Sequence, residues 1–274
     1  MTMPIHDPIQ VSIRFTTLLL LTLFATACGT NGSAHHWDYD GAEGPEHWAE
    51  MSREFAACEQ GRAQSPIDLD TSTPASSADM SRGDRSAELL VAHHEHVVDV
   101  LDNGHTIQVT YDDGSTLREG GEEFELRQYH FHAPSEHTVD GRSFPMEMHL
   151  VHSSADGELA VLGVLIAEGE HNAAFASIWQ DLPDTPGESR HLEHVKVDID
   201  DLLPGDSHYY RYEGSLTTPP CSEGVHWYVF RKPITLSADQ IAAFTEIFFD
   251  NHRPVQPRNG RALTLRVVQT TDEP

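Results

Sequence analysis

Apolar and polar positions alternate with period two along much of this chain. Runs at 97–101 (VVDVL), 106–111 (TIQVTY), 125–132 (ELRQYHFH), 146–153 (MEMHLVHS), 160–167 (AVLGVLIA) and 227–230 (WYVF) are short and rich in β-branched and aromatic residues, so each predicts a strand. Turn signals bound several of them: Asp102-Asn103-Gly104, Asp113-Gly114 and Asp140-Gly141. A Ser/Asp/Gly-rich stretch at 71–86 predicts a surface loop. Helical spacing is clearest at 237–249, where Ser237 stands as N-cap before Ile241, Phe244, Ile247 and Phe248. No repeat of solenoid length occurs, and no linker divides the chain after Trp37. The pattern predicts one mixed, β-dominated domain with short peripheral helices, spanning 37–270.

The first segment breaks this pattern. Residues 15–27 (FTTLLLLTLFATA) are apolar or small, too few for a membrane span of about 20 residues. They follow Arg14 and end in small side chains, the layout of a secretory signal peptide at 1–27. Ala25-Thr26-Ala27-Cys28 resembles a bacterial lipobox, with Ala25 where leucine is usual. On that reading Cys28 is lipidated and 28–36 form a tether; ordinary cleavage near Ala27 without lipid is the alternative. The expected location is exported and periplasmic, with membrane contact only through such an N-terminal anchor. Lipid on Cys28 would leave Cys58 and Cys221, which an oxidising compartment can hold as a disulfide; two buried free thiols are the alternative.

Charge narrows the partners. The 274 residues carry a formal net charge of −27 and only two lysines, Lys196 and Lys232. Such a surface excludes nucleic acid as a partner, which needs basic side chains to displace phosphate counterions, and disfavours electrostatic docking on anionic lipid. It fits a saline habitat or simply a well-solvated surface.

Candidate chemistry lies in two of the strand segments. Alternation puts Gln128, His130 and His132 on one face, and Glu147, His149 and Val151 on one face of the other. Three neutral imidazoles around Zn²⁺, with a fourth position left to water, make a catalytic rather than a structural site. The chain has 19 histidines, and any one alone is more often a surface or hydrogen-bonded residue. The flanking motifs strengthen the signal. They are Gln64-Ser65-Pro66-Ile67-Asp68, Asn103-Gly104-His105, the run from Gln128 through Val139 (QYHFHAPSEHTV), Met146-Glu147-Met148-His149-Leu150-Val151-His152, Gly214-Ser215-Leu216-Thr217-Thr218-Pro219-Pro220-Cys221, and Asn251-His252-Arg253-Pro254-Val255-Gln256-Pro257. In this order they resemble the alpha-class carbonic anhydrases in their bacterial, exported form.

The resemblance implies a fold and a chemistry. The fold is a large twisted, mostly antiparallel central sheet of about ten strands with zinc at the bottom of a conical cleft. The activity is that of a lyase: reversible hydration of carbon dioxide to bicarbonate and a proton, by attack of zinc-bound hydroxide. His130, His132 and His149 are the implied metal ligands; Gln128, the carbonyl of Asn251, and Glu147 are the implied partners that orient those rings in the same order. Thr217 is implied to donate its hydroxyl to Glu136 and accept from the nucleophile, and Thr218 to contact bicarbonate. Val151, Val161, Leu216, Val225 and Trp227 match the apolar wall for carbon dioxide. His105 matches the proton shuttle, with Tyr39, Asn103 and Gln108 ordering the water between. Neither a monomer nor a homodimer is excluded. Two rivals remain at this point: an inactive relative used as a binding module, which would lack zinc histidines, and a zinc-buffering lipoprotein, which would bind several ions weakly.

Overall fold

The computed structural model describes residues 36–73, 90–92, 98–111, 114–180, 182–192 and 197–267. The signal peptide, Cys28, residues 28–35 of the tether and most of the 71–86 loop lie outside the described residues. In chain order the strands are β1 (Asp68–Leu69), β2 (Leu90–Ala92), β3 (Val98–Asp102), β4 (Ile107–Tyr111), β5 (Thr116–Glu119), β6 (Glu122–His132) and β7 (Thr138–Val139). They continue as β8 (Met146–Ser154), β9 (Leu159–Glu168), β10 (Ser189–His191), β11 (His208–Ser215), β12 (Glu223–Phe230), β13 (Ile234–Leu236) and β14 (Thr264–Val267). Among the described residues four short α-helices accompany them: α1 (Trp48–Met51), α2 (Ala57–Gln60), α3 (Ala176–Trp179) and α4 (Ala238–Thr245).

Among the described residues twelve strands make one sheet, whose main path runs β10-β3-β4-β6-β8-β9-β12-β11-β14. Most pairs are antiparallel, but the sheet is mixed: β9 pairs parallel with both β12 and β13. The reason lies in the connections. β8 turns back on β9 through a tight loop, whereas β9 reaches β12 only after more than fifty residues that include α3, β10 and β11, and a long crossover permits parallel pairing. A separate parallel pair joins β1 to β7.

The two faces of the sheet bury different cores. Tyr129, Phe131, Met148, Leu150, Leu162 and Val164 point to one side, where α3 and α4 cover them. Val161, Tyr210, Tyr212, Val225, Trp227 and Val229 point to the other. Alternation along β6, β8 and β9 therefore separates a mainly apolar face, in which His152 of β8 is also buried, from one that gathers His130, His132, Glu147 and His149.

The C-terminal helix is shorter than its apolar spacing suggests. Ser237 caps it in a full capping box with Gln240, but α-helix ends at Thr245. Ile247 and Phe248 still reach the core through a turn in which both amides donate to the carbonyl of Phe244, and Phe249 is exposed. The turn frees residues 249–251 to cross back over the end of β6.

Candidate metal centre

Sheet register builds the centre. His130 on β6 lies opposite His149 on β8, and His132 follows two residues on, on the same face. Their rings stand close together, with centroids 5.0 Å (130 to 132), 5.3 Å (130 to 149) and 4.6 Å (132 to 149) apart. One nitrogen from each lies within 4.8 Å of the others, a group that could hold a metal ion.

The other nitrogen of each ring is occupied. His130 Nδ1 pairs with Gln128 Oε1 at 2.8 Å, His132 Nδ1 with the carbonyl of Asn251 at 2.7 Å, and His149 Nε2 with Glu147 Oε1 at 2.9 Å. Each anchor fixes a tautomer and turns the free nitrogen inward: Nε2 of His130 and His132, Nδ1 of His149. Burial, reinforced by the neighbouring histidines, pushes the imidazole of His130 well below its ordinary range, and burial lowers that of His132 too. Both are thus held neutral. Burial acts the same way on His149, but the Glu147 carboxylate outweighs it and raises that ring.

Two buried atoms face the centre without a hydrogen-bond partner, His132 Nε2 and Glu136 Oε2. They are 3.6 Å apart, and Glu136 Oε2 is 3.8 Å from His149 Nδ1. Orphaned polar atoms at full burial are costly, so the cluster fits an ion and its attendant water better than an empty space. A neutral, all-nitrogen donor set of three is the set expected for catalytic Zn²⁺.

A polar relay that the sequence did not assign supports Glu147. Its carboxylate also accepts from His137, at 2.7 Å from Nδ1 and 2.8 Å from the backbone N–H. His137 Nε2 pairs with the Tyr212 hydroxyl at 2.7 Å, and that hydroxyl donates to Ser65 Oγ at 2.9 Å. Burial opposes ionisation of Glu147, yet the His137 and His149 partners hold it well below the usual carboxylate range. Gly163, opposite His149 in register, leaves room for it: a Cβ there would sit 3.1 Å from Glu147 Oε1. His137 and Glu147 were each visible inside the quoted motifs; their pairing, and the Tyr212 partner on β11, were not.

Glu136 is fixed from its other oxygen, which accepts the backbone N–H of Arg253 at 2.8 Å. Arg253, also unassigned from sequence, is buried, and its guanidinium donates to Gln64 Oε1, the carbonyl of Ser65 and the carbonyl of Cys58. Burial lowers its pKa to about 10 despite Glu136 nearby. Thr217 is buried. Among the described residues no hydrogen bond joins its hydroxyl to Glu136, whose Oε2 has no partner.

The loop that carries Thr217 and Thr218 is held at both ends. Leu216 N–H donates to Ser222 O and Cys221 N–H to Thr218 O. Cys221 is bonded to Cys58 by a disulfide; the free-thiol alternative is excluded. Trp227 stands edge-on to His149 with centroids 4.8 Å apart, and Val161, Val225, Val151 and Leu216 join it in one apolar cluster. A register row across the sheet lines up Gln128, Val151, Val161, Trp227 and Tyr212. The apolar residues thus form a continuous wall one row from His130 and His149.

The remaining predicted residues gather at the β3–β4 turn. Asn103 Nδ2 donates to Gln108 Oε1 at 3.3 Å, and Gln108 lies opposite His130 in register. The Tyr39 ring is 6.5 Å from both His105 and His132. His105 lies flat on Trp37 at 3.8 Å. The Asn251 side chain donates to the carbonyls of His105 and Phe131, each at 3.0 Å, tying this turn to the metal centre.

Comparison with known proteins gives this geometry a family. Residues 43–267 match the family described as eukaryotic-type carbonic anhydrase. The chain belongs to the alpha-class carbonic anhydrases. It is 44% identical to a carbonic anhydrase of Nostoc sp. over 228 residues, 82% of this chain and 84% of that protein. It is 39% identical to one of Pectobacterium carotovorum over 251 residues, 91% and 98% of the two chains. Among solved structures, an alpha-carbonic anhydrase from Thermovibrio ammonificans in complex with the inhibitor sulfanilamide matches with a TM-score of 0.78 and 42% identity, covering 85% of this chain and 99% of that one. Alpha carbonic anhydrases are zinc enzymes, and family membership supports carbon dioxide hydration by this chain, with bicarbonate as product.

Proposed function

We propose that His130, His132 and His149 hold Zn²⁺ at which carbon dioxide and bicarbonate interconvert, with Glu136 and Thr217 orienting the nucleophile and His105 carrying the proton outward. The observation that carries this reading is the division of labour on each ring, one nitrogen anchored by protein and the other free within 4.8 Å of its counterparts. Zinc so bound supplies a water made acidic enough to ionise near pH 7, an effect for which carbonic anhydrase is the standard case.

The protein's own groups do the rest. In this reading the Thr217 hydroxyl would donate to Glu136, which would leave a Thr217 lone pair to accept from the nucleophile and aim its attacking lone pair at carbon. The Thr217 N–H stabilises charge developing on the substrate oxygen, and Thr218 contacts bicarbonate. Val151, Val161, Leu216, Val225 and Trp227 offer carbon dioxide an apolar wall. Gln128, Glu147 and Asn251 keep the ligand rings in place. Tyr39, Asn103 and Gln108 order water between the centre and His105.

We also read residues 1–27 as a signal peptide, 28–36 as a tether with Cys28 as its lipid anchor, and 37–270 as the catalytic domain of a periplasmic protein that is a monomer or homodimer. The Cys58–Cys221 disulfide supports export to an oxidising compartment. Stopped-flow carbon dioxide hydration, run before and after a chelator strips the metal, tests the central reading. Activity should vanish with about one zinc removed per chain and return with zinc added; activity that survives stripping would refute it.

A further inference from the structure

We infer that Gln64 and Ser65 are positioning residues for the proposed reaction, a buried hub that fixes the Thr217 loop and Glu136 relative to each other. This rests on Glu136 and Thr217 as the pair that orients the nucleophile. Gln64 is 3% exposed and Ser65 0%, and neither belongs to the metal set or to the apolar wall.

The hub grips the loop on both sides of its threonines. Before Thr217, two serines exchange hydrogen bonds: Ser65 N–H donates to Ser215 Oγ at 2.9 Å, and Ser215 N–H to Ser65 Oγ at 3.1 Å. After Thr218, Gln64 Nε2 donates to the carbonyl of Cys221 at 3.0 Å and to Glu223 Oε1 at 3.1 Å. Glu136 is tied to the same two residues through Arg253. Arg253 Nη1 donates to Gln64 Oε1 at 2.9 Å and to the carbonyl of Ser65 at 2.8 Å, while the Arg253 backbone N–H donates to Glu136 Oε1 at 2.8 Å.

Chemistry and chain distance single out Gln64. A guanidinium can only donate, so Gln64 Oε1 must face Arg253 and Nε2 must face Cys221. A side-chain amide fills both roles at once, whereas a carboxylate or an ammonium of similar reach fills one. The bonds of the hub span 117 to 189 positions, so no local preference brings Glu136 and Thr217 to one place. A buried polar network with its members paired is rigid. Orientation of a nucleophile is sensitive to such rigidity, since a misplacement of about 1 Å costs about 100-fold in rate.

The experiment is stopped-flow carbon dioxide hydration by the zinc-loaded protein, comparing wild type, Gln64→Met, Gln64→Glu, Thr217→Ala and each Gln64 variant combined with Thr217→Ala. Methionine keeps the length and removes both roles. Glutamate keeps the acceptor for Arg253 and removes the donor to Cys221, so it carries the test if Gln64→Met does not fold. Each Gln64 variant should lose about tenfold to 100-fold in kcat/KM. Zinc affinity, measured by chelator competition, should stay within about twofold of wild type, since no partner of a metal histidine is touched. In the Thr217→Ala background the same change should cost less than about twofold, because the hub acts through that threonine. A folded Gln64 variant with wild-type kcat/KM refutes the hub and leaves the Glu136–Thr217 reading standing. A loss that persists in full beside Thr217→Ala, or that comes with weakened zinc, also overturns it. If Thr217→Ala itself matches wild type, the orienting reading fails and takes the hub with it.

Discussion

Replacing Glu147 with Gln tests whether the carboxylate orients His149 for the metal. Glu147 is fully buried and accepts from His149 Nε2 at 2.9 Å, His137 Nδ1 at 2.7 Å and the His137 N–H at 2.8 Å. Glutamine keeps the shape but turns one acceptor oxygen into a donor. If its oxygen faces the two rings, its NH₂ meets the His137 backbone N–H. If it flips, the NH₂ faces both ring nitrogens, and His149 must carry its proton on Nδ1, the atom aimed at the metal. Either way a buried donor is left unsatisfied, at a cost of roughly 1–3 kcal/mol. At about 1.4 kcal/mol per factor of ten, zinc affinity should fall by about 10- to 100-fold, the range usual for losing a partner that orients a metal-bound histidine. Competition against a chromophoric zinc chelator at neutral pH measures the affinity, and thermal melting of the stripped protein checks folding. An affinity within a factor of about two of wild type, in a folded variant, would refute the orienting role.

Other outcomes follow from features outside the centre. Cys58→Ser or Cys221→Ser opens a bridge across 163 residues, so urea denaturation should show a loss of about 2–5 kcal/mol; neither cysteine of the unreduced wild type should react with a thiol reagent. Glu119 should make stability depend on acid. Burial raises its pKa, but hydrogen bonds from His226, Arg211 and Tyr228, with the Arg211 charge, bring it down to about 2 from an ordinary 4.5. A depressed carboxylate stabilises the fold above its unfolded value and loses that contribution as pH falls toward the folded one. The stability gap between wild type and Glu119→Gln, on the order of 2 kcal/mol after allowance for solvent screening, should therefore be full above about pH 5 and close as pH falls toward 2. Denaturation curves across that range measure it, and a gap that stays constant would contradict the assignment.

Six strands were legible because their runs alternate cleanly or are continuously apolar, and each observed strand covers its predicted core. β11 was not. Its sequence HYYRYEGS carries tyrosines on both faces, Tyr209 toward one core and Tyr210 and Tyr212 toward the other, so no period of two emerges. β5, β10, β13 and β14 have three or four residues each, too few for any pattern. Gln128, Glu147 and the Asn251 carbonyl lie within hydrogen-bond distance of the three rings, but the relay through His137, Tyr212 and Ser65 and the brace around Arg253 were missed. Each joins residues from separate elements, and the hydrogen bonds alone span up to 195 positions.

Local pattern by itself determined which side chains share a face. Period two placed His130 with His132 and Glu147 with His149, whatever the rest of the chain did. Tertiary structure alone decided that these faces meet. Register sets His130 against His149, and the turn after α4 brings the Asn251 carbonyl to His132 across 119 positions. The physical reason is that a strand encodes its faces within a few residues, whereas register and loop paths are settled by burial against partners far along the chain.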